Sequence, residues 1–411
     1  MLIRRLFLAG LVAFTLRASS LVDVNGVAPE TGVSMSPISL EISSGLPSIC
    51  GQSSSADADT EHVFEGVEKR IELFFKVSNE DSQGLRALSR SALESVCSAS
   101  RCTIIHHEPR ECFDSYILSE SSLFVFRDRV MIKTCGTTLP LGGVPAIIAA
   151  AKELGLPALE MTYSRGSFMF PEKQLSPHND LGAEFEYLNS FELDGVLSTD
   201  PGESCLLGSP DGSYWLVHKK RFVDGTESVG EDRKIMVDCI MTGLSRKARS
   251  IYFKDSSISE LENETAMTAS LTGVQPSFHI KGKCFDPCGY SCNAHGPQPG
   301  DERYFTVHIT PEEGFSYASV EAVFDETSSS SFSSDIESFV NRVVQVFEPL
   351  SVKVTVLAPA GEFPEVRSFV DLPETLYRKV SEDQVEFSDK YASSTASCVV
   401  FRRMEAHSEE A

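Results

Sequence analysis

The feature that most constrains the fold is a series of short, strongly apolar runs that only a few polar residues separate. Residues 116–126 (YILSESSLFVF) and 130–135 (VMIKTC) are rich in β-branched and aromatic side chains, and the three residues between them are Arg127, Asp128 and Arg129. A connection this short can join only antiparallel neighbours, because parallel strands need a long crossover. The segment therefore predicts a β-hairpin.

Other segments predict further strands and a few helices. Residues 304–310 and 317–324 read as strands, and Val352, Val354 and Val356 alternate as in another. Helical spacing of apolar residues predicts amphipathic helices that begin near residue 62 (Phe64, Val67, Ile71, Phe74), at residue 144 (ending before Gly155) and at Asp335. Strands that outnumber helices without regular alternation favour an α+β sandwich over a wound parallel sheet.

The chain also divides into segments by composition. Residues 1–20 carry Arg4-Arg5, an apolar stretch over 6–16 and then Ala18-Ser19-Ser20, which is the order of a secretory leader, although an unstructured extension or wrongly joined upstream sequence fits too. Residues 21–61 predict a disordered linker, because residues 34–60 are rich in Ser, Pro and Gly. The folded domain is expected over 62–405, with a tail over 406–411.

Charge and cysteine content narrow the function classes. The chain has 411 residues, with 36 Lys and Arg against 59 Asp and Glu, which gives a net charge of −23. Such a chain repels nucleic acid and anionic membranes, so neither is an expected partner. Its 11 cysteines lack the spacing of a disulfide framework, which favours free thiols and a cytoplasmic location; a secretory or organellar location is the alternative if the leader is real.

No phosphate-binding glycine loop, metalloprotease motif or nucleophile elbow is present, and three polar clusters remain as candidate sites. They are residues 118–122 (LSESS), 133–138 (KTCGTT) and 285–312, which includes PCGYS and HITPE. Each also has a structural interpretation: a solvated strand face, a buried cysteine and a satisfied strand histidine. Taken singly, none of them decides the function.

Six motifs in this order resemble eukaryotic S-adenosylmethionine decarboxylase over about residues 62–400: FEGVEK (64–69), LSESS (118–122), KTCGTT (133–138), YSR (163–165), PCGYS (287–291) and HITPE (308–312). The resemblance implies a four-layer α/β/β/α sandwich of two antiparallel sheets and a role in polyamine synthesis. It also implies a pyruvoyl group that the chain makes from its own backbone, so that no metal or other cofactor is required.

The resemblance further implies that the chain cuts itself between Glu120 and Ser121. Ser121 would attack the Glu120 carbonyl, and elimination of the resulting ester would leave the pyruvoyl group on the longer of two chains. By resemblance, His308 handles the proton of the elimination and Ser291 steadies the intermediate. A neutral-range imidazole suits that role.

The pyruvoyl ketone would then form a Schiff base with the amine of S-adenosylmethionine and accept the electron pair that the departing carboxylate leaves. Cys135 is the expected proton donor, with Lys133 tuning the local charge. Substrate contacts are expected from the rings of Phe64 and Phe285, the carboxylate of Glu312, and backbone groups of Leu118 and Glu120.

Acidic residues near the start of the domain form the last predicted group. Glu65, Glu68 and Glu72 would share a helix face, which by spacing alone indicates a solvated surface; the resemblance places Glu65 and Glu68 in catalysis or processing. It also predicts a buried charged site, comparable to the diamine-binding site of animal enzymes, in which basic residues replace putrescine as in plant enzymes. Its expected members are Arg70, Glu72, Lys133, Arg165, Lys234, Asp238 and Glu321.

Two other functions compete with this one. Cys284, Cys288 and Cys292 suggest an iron–sulfur site, but the second gap is three residues where the radical S-adenosylmethionine pattern needs two. The second alternative is a catalytically inactive family member that binds a regulatory partner, against which the joint presence of Ser121, Cys135, Ser291 and His308 argues. The resemblance leaves the choice between monomer and homodimer open.

Overall fold

The computed structural model describes residues 64–78, 82–193, 196–197, 201–208, 212–222, 234–324, 332–359, 370–387 and 394–404. The expected leader (1–20), linker (21–61) and tail (406–411) lie outside the described residues. Among the described residues, no helix combines the length and the apolar character that crossing a membrane requires.

The strands of the described part are, in chain order, β1 (Lys69–Phe75), β2 (Ile104–Pro109), β3 (Phe113–Leu118), β4 (Ser121–Phe126), β5 (Arg129–Thr134), β6 (Ala158–Gly166), β7 (Glu192–Leu193), β8 (Val196–Leu197), β9 (Glu203–Gly208), β10 (Tyr214–Arg221), β11 (Ile235–Thr242), β12 (His279–Cys284), β13 (Tyr290–His295), β14 (Tyr304–Thr310), β15 (Tyr317–Phe324), β16 (Ser351–Pro359), β17 (Tyr377–Glu386) and β18 (Ser394–Arg403). The helices are α1 (Arg90–Ala99), α2 (Pro140–Glu153), α3 (Leu181–Asn189), α4 (Arg246–Ser250), α5 (Glu260–Ala269) and α6 (Phe332–Phe347), with short 3₁₀ turns at Gly84–Ala87 and Pro171–Lys173.

Two eight-stranded sheets dominate the described part, and every strand pairing in them is antiparallel. The first sheet has the order β2-β3-β4-β5-β1-β6-β10-β9, and the second has the order β12-β13-β14-β15-β11-β16-β18-β17. Numbered from its own first strand, each sheet reads 2-3-4-5-1-6-8-7. The two halves of the chain therefore repeat one topology, although their sequences show no repeat.

Helices cover the outer face of each sheet, as the four-layer sandwich requires. Apolar side chains of α1 and α2 pack with Ile71 and Ile132 over the first sheet, and α5 and α6 pack with Val237 over the second. Full burial of one such aliphatic side chain contributes about 1.5–3 kcal/mol. The helix-facing layers thus supply the main apolar cores.

The layer between the sheets is mixed in character. Aromatic residues of the first sheet (Phe113, Phe124, Phe126) pack with Tyr304 at one place, and Trp215 packs with β11 and β18 at another. Between the sheets there are also buried charged and polar side chains, which need partners because an unpaired charge in a dry layer is costly.

Three sequence predictions are wrong in detail. The expected helix over Phe64–Phe74 is the strand β1 with a preceding coil: both faces of β1 are covered, so Arg70 and Glu72 alternate inward opposite Ile71. Residues 116–126 are not one strand, because Ser119 and Glu120 form a tight turn between β3 and β4. The helices α2 and α6 begin four and three residues earlier than predicted.

Other local predictions are confirmed. The pairing of Val125 with Val130 makes β4 and β5 the predicted hairpin. Gly155 follows α2 with φ of 73°, and β14, β15 and β16 lie where the apolar runs placed them.

Candidate active site

The site is centred on the two-residue turn that joins β3 to β4. Leu118 pairs with Ser121, which leaves Ser119 and Glu120 as the turn. The φ of Ser121 is 128°, a backbone conformation that costs a non-glycine residue about 1–3 kcal/mol. The carbonyl oxygen of Glu120 accepts the backbone N–H of Cys135 at 3.1 Å. The Glu120–Ser121 peptide bond is therefore flanked by a strained backbone conformation at Ser121, and its carbonyl oxygen is fixed by a hydrogen bond.

Glu68 accepts a hydrogen bond from the hydroxyl of Ser121. Ser121 Oγ lies 3.1 Å from Glu68 Oε1, and Glu68 Oε2 accepts the hydroxyls of Ser319 and Tyr317 from the second sheet. Burial raises the pKa of Glu68, and Lys133 opposes that rise. The coil before β1 thus places a carboxylate, and not a helix face, against the serine.

Cys135 directly follows the neighbouring strand β5, on the other side of the turn. Its Sγ lies 3.6 Å from the Glu120 carbonyl oxygen. Burial, and next the charge of Glu68, raise the pKa of this thiol to about 12, so it stays protonated at neutral pH. A buried thiol that keeps its proton can donate it but is a poor nucleophile.

The loop after Cys135 is held from the helix-facing side of the sheet. Lys69 Nζ donates to the carbonyl oxygen of Gly136 and to Gln174 Oε1, each at 2.9 Å, and burial lowers the pKa of Lys69 to about 8. Glu65 accepts the backbone N–H groups of Val67 and Phe170 at 3.0 and 2.8 Å. The carboxylate of Glu65 therefore holds backbone around the site, and Lys69 and Gln174 are supports that the sequence did not reveal.

The second sheet contributes a histidine and a serine from adjacent strands. His308 on β14 places Nδ1 3.0 Å from Ser291 Oγ on β13, and Nε2 3.1 Å from Ser122 Oγ. Burial lowers the pKa of His308 well below its usual value, so the ring is neutral. The predicted pair of Ser291 and His308 thus faces β4, although the first contact of the ring is Ser122 and not Ser121.

The expected substrate residues Phe64, Phe285 and Glu312 lie just outside strands, and Phe64 is the one that the structure places beside the turn, through Gly136. Phe64 is 37% exposed, and its ring lies beside Gly136, whose φ is 64°. Glu312 follows β14, and its Oε2 is buried without a hydrogen-bond partner in the structure. The pKa of Cys288 is raised to about 12, mainly by burial and secondly by the charge of Glu312. Phe285 is half-buried beside Gly289.

Leu118 takes a different position from these residues. Its side chain is buried in the helix-facing core, so only its backbone is available to a ligand.

Lys133 is the centre of a buried charged cluster next to the turn. Its Nζ lies 3.3 Å from Glu68, 3.0 Å from Asp238 and 3.2 Å from Glu321. Arg70 bonds Glu321 at 2.9 Å. Burial alone would lower the pKa of Lys133, but the three carboxylates raise it above its usual value. Equivalent strands of the two sheets (β1 and β11, β5 and β15) supply this cluster.

Arg70 also ties Glu72 to the cluster, with Nη1 3.0 Å from its carboxylate. Beside them lies a cavity of about 60 Å³ whose lining includes Arg70, Glu72, Arg129, Lys219 and Lys234. Lys234 therefore lines a cavity beside the charged cluster, and its membership in the predicted site stays a prediction.

Arg165 does not belong to this cluster. In β6, side chains alternate between the two faces, and Arg165 points to the helices, where it makes paired bonds to Glu184 at 2.9 and 3.0 Å. Tyr163 and His178 bind the same carboxylate. The prediction that Arg165 joins the charged site is therefore wrong, because the sheet itself separates it from Lys133.

Comparisons with known proteins show the family of the chain. The family model described as adenosylmethionine decarboxylase matches residues 61–401. S-adenosylmethionine decarboxylase proenzymes of Oryza sativa subsp. japonica and Zea mays are each 37% identical to the chain, over 72% and 75% of its length and 73% and 76% of theirs. A proenzyme 2 of Dianthus caryophyllus is 38% identical over 72% of this chain and 75% of its own length. A solved Trypanosoma brucei AdoMetDC-delta26 monomer is 23% identical, with a TM-score of 0.49 over 69% of this chain and 99% of that one. A match over most of the domain, with similar identity in several plant relatives, establishes that the chain belongs to the adenosylmethionine decarboxylase family.

Proposed function

We propose that this chain is a proenzyme that cuts itself between Glu120 and Ser121, converts Ser121 into a pyruvoyl group and then decarboxylates S-adenosylmethionine to the aminopropyl donor of spermidine and spermine synthesis. Decarboxylase activity follows from family membership. The observation that carries the rest is the turn itself. Ser121 has a strained φ and a hydroxyl bonded to Glu68, and the neighbouring carbonyl is held by Cys135 N–H.

The cleavage step uses groups that are already in place. Ser121 Oγ adds to the Glu120 carbonyl carbon, the C–N bond breaks, and the proton of the hydroxyl passes to the released amine, so that the amide becomes an ester. Cys135 N–H donates to the oxygen on which negative charge develops. Glu68 Oε1 is the acceptor that faces the attacking hydroxyl.

The ester is then opened by elimination. A base removes the Cα proton of Ser121, the bond between Cβ and the ester oxygen breaks, and Glu120 leaves as a carboxylate. Addition of water and loss of ammonia turn the resulting enamine into a ketone. His308 and Ser291 are the residues of the second sheet that we assign to this proton transfer, because they form one hydrogen-bonded pair facing β4.

The surroundings of Ser121 fit a pyruvoyl group and its substrate. The ketone of such a group supplies an electron sink for decarboxylation. Cys135 keeps a proton beside this position and is our proton donor. The buried, unpartnered Glu312 Oε2 suits a ribose hydroxyl, and the exposed ring of Phe64 suits an adenine face or a sulfonium cation.

The inactive, regulatory alternative gains no support. The matched relatives are named decarboxylase proenzymes, and Ser121, Cys135, Ser291 and His308 are all present in this chain. We assign the activity to the cytoplasm. In the described part of the chain every cysteine is a free thiol, as a reducing compartment would keep it.

The test is the intact mass of the purified protein together with carbon dioxide release from carboxyl-labelled S-adenosylmethionine. We expect two chains, the longer one blocked at its N-terminus and lighter by one ammonia than a chain beginning with serine. Fully cleaved protein should release labelled carbon dioxide. A single uncut chain would refute the pyruvoyl proposal, and cleaved protein without release would refute the decarboxylase assignment.

A further inference from the structure

Asn293 on β13 connects the two sheets at the cleavage site. Its side chain is 1% exposed. Nδ2 donates to the carbonyl oxygen of Tyr116 at 3.0 Å and to Ser115 Oγ at 2.9 Å, both on β3 of the other sheet. The family motifs do not extend to this residue, which lies two positions after Ser291 on the same face of its strand.

The orientation of the Asn293 amide is fixed by one of these bonds. A backbone carbonyl oxygen can only accept a hydrogen bond, so the group facing Tyr116 must be the NH₂ and not the oxygen. The amide oxygen therefore faces the other way, toward Ser122 Oγ at 2.6 Å. Since the amide oxygen can only accept, the Ser122 hydroxyl must donate to it.

This donation decides what Ser122 can offer His308. A hydroxyl has a single proton, and that of Ser122 is used on Asn293. The Ser122 oxygen thus presents only lone pairs to His308 Nε2, 3.1 Å away, so Nε2 must carry the hydrogen. Glu68 Oε1, 3.6 Å from the same nitrogen, favours the same arrangement.

The other nitrogen of the ring follows from this assignment. Burial keeps His308 neutral, so a ring with its hydrogen on Nε2 has a lone pair on Nδ1. Nδ1 therefore accepts the hydroxyl of Ser291 at 3.0 Å. The hydrogen bonds run in one direction from Ser291 through His308, Ser122 and Asn293 to the Tyr116 carbonyl.

We propose that Asn293 is a positioning residue for self-cleavage: through Ser122 it holds His308 of the uncut chain in the Nε2–H tautomer, so that Nδ1, beside Ser291, is the only basic nitrogen of the ring. The proposal rests on the cleavage assigned above. It makes Nδ1 the atom of His308 that takes a proton during elimination. Glu68 remains the acceptor for Ser121.

The experiment reads the tautomer directly in uncut protein. Ser121→Ala keeps the chain whole, and Ser121 has no hydrogen bond to Ser122, Asn293 or His308 among those described. Protein labelled with ¹⁵N-histidine is studied by NMR, with His308→Gln used to assign the signal. We expect a neutral ring protonated at Nε2. A ring protonated at Nδ1 would overturn the proposal.

Matched variants test the role of the amide in the same background. Asn293→Leu, similar in size, and Ser122→Ala should each produce a mixture of the two tautomers. Ser122→Thr, which keeps the hydroxyl, should restore the Nε2–H form. Ser115→Ala should leave the tautomer unchanged, because the Tyr116 carbonyl still orients the amide. The two variants remove opposite ends of the same hydrogen bond, so either one tests the proposal if the other folds poorly. An unchanged tautomer in the folded variants would refute the proposal.

Cleavage kinetics of the chain with Ser121 intact give the second readout. Loss of one buried, oriented hydrogen bond should slow cleavage in Asn293→Leu roughly tenfold, and the pH dependence of the rate should change with it. Equal cleavage rates and pH profiles in Asn293→Leu and the natural chain would contradict the proposal. If the natural chain never cleaves, the proposed function fails while the NMR result still tests the tautomer. If it cleaves and the ring is protonated at Nδ1, only this inference fails.

Discussion

The backbone N–H of Cys135 donates a 3.1 Å hydrogen bond to the carbonyl oxygen of Glu120. This bond fixes the carbonyl that Ser121 is proposed to attack, and it comes from the backbone of Cys135, the residue whose thiol is the proposed proton donor. Cleavage and decarboxylation therefore both depend on Cys135, the first on its backbone N–H and the second on its thiol. Point variants that change one group and keep the other should separate the two reactions.

Removal of the Ser121 hydroxyl should stop cleavage. Ser121→Ala is expected to remain one chain, because no neighbouring group can replace an oxygen that must bond covalently to Glu120. Denaturing electrophoresis and intact mass would show this. Ser119→Ala, which alters the adjacent turn residue, is the matched control and should still be cut to completion. A cut Ser121→Ala chain would show that the serine is not the nucleophile.

Loss of the Cys135 thiol should impair turnover more than cleavage. Cys135→Ala keeps the backbone N–H that holds Glu120, so two chains should form, while decarboxylation should fall by about 100-fold or more as for loss of a general acid. Cys102→Ala, another buried thiol, is the control and should keep normal activity. The measurements are chain composition and carbon dioxide release, and full activity in Cys135→Ala would exclude it as the donor.

Glu312 should matter for substrate binding and not for cleavage. A charged hydrogen bond to a ribose hydroxyl contributes about 1.5–3 kcal/mol, so Glu312→Gln should raise KM about tenfold or more with a smaller change in kcat. Its exposed neighbour gives a control, since Glu313→Gln should leave KM unchanged. Equal KM values in both variants would remove Glu312 from the substrate site.

Putrescine should change the activity less than about twofold. The carboxylates around Lys133 already have Lys133 and Arg70 as partners. The charged residues that line the adjacent cavity are Arg70, Arg129, Lys219 and Lys234 against one carboxylate, Glu72, and this excess of positive charge would repel a diamine. Arg70→Leu combined with Lys234→Asp should lower basal activity and create a response to putrescine. The measurement is initial rate against diamine concentration, and strong stimulation of the natural chain would contradict the prediction.

Acidification should destabilise the uncut chain partly through His308. Burial depresses its folded pKa, so the unfolded chain binds the proton first, and stability is lost as the pH falls below about 6.5. His178 and His106 have lowered pKa values as well. Between pH 7.5 and 5.5, the double variant Ser121→Ala/His308→Gln should lose about 1 kcal/mol less free energy of unfolding than Ser121→Ala alone. Urea denaturation at both pH values measures this, and an unchanged difference would mean that His308 titrates normally.

The apolar strands and the order of the motifs could be predicted from the sequence, but the elements near the site could not. Alternation in β16 is plain because Val352, Val354 and Val356 share one face. In β1 the inward residues are the charged Arg70 and Glu72, which pair with each other, with Arg129 of β5 and with Glu321 of β15. Because charged residues occupy the buried inward positions, the alternation of the strand is not visible in the sequence, and the apolar residues suggest a helical period instead.

The same limitation explains the two residues that were placed wrongly or missed. Arg165 follows Ser164 in its motif, and the pleat of β6 puts these two residues on opposite faces, so that Arg165 shares Glu184 with Tyr163 instead of facing the second sheet. Asn293 carries no motif, yet its spacing of two from Ser291 on β13 would have placed it on the same face. Contacts between sheets depend on tertiary structure, which local pattern does not report.

The position of β1 has a consequence for the life of the protein after cleavage. The proposed cut falls between β3 and β4, so the shorter chain would keep β1, which lies between β5 and β6 and pairs with both along its length. Release of that chain would require pulling a strand out of the middle of a covered sheet and breaking two ladders at once. The two products should therefore behave in solution as one inseparable molecule.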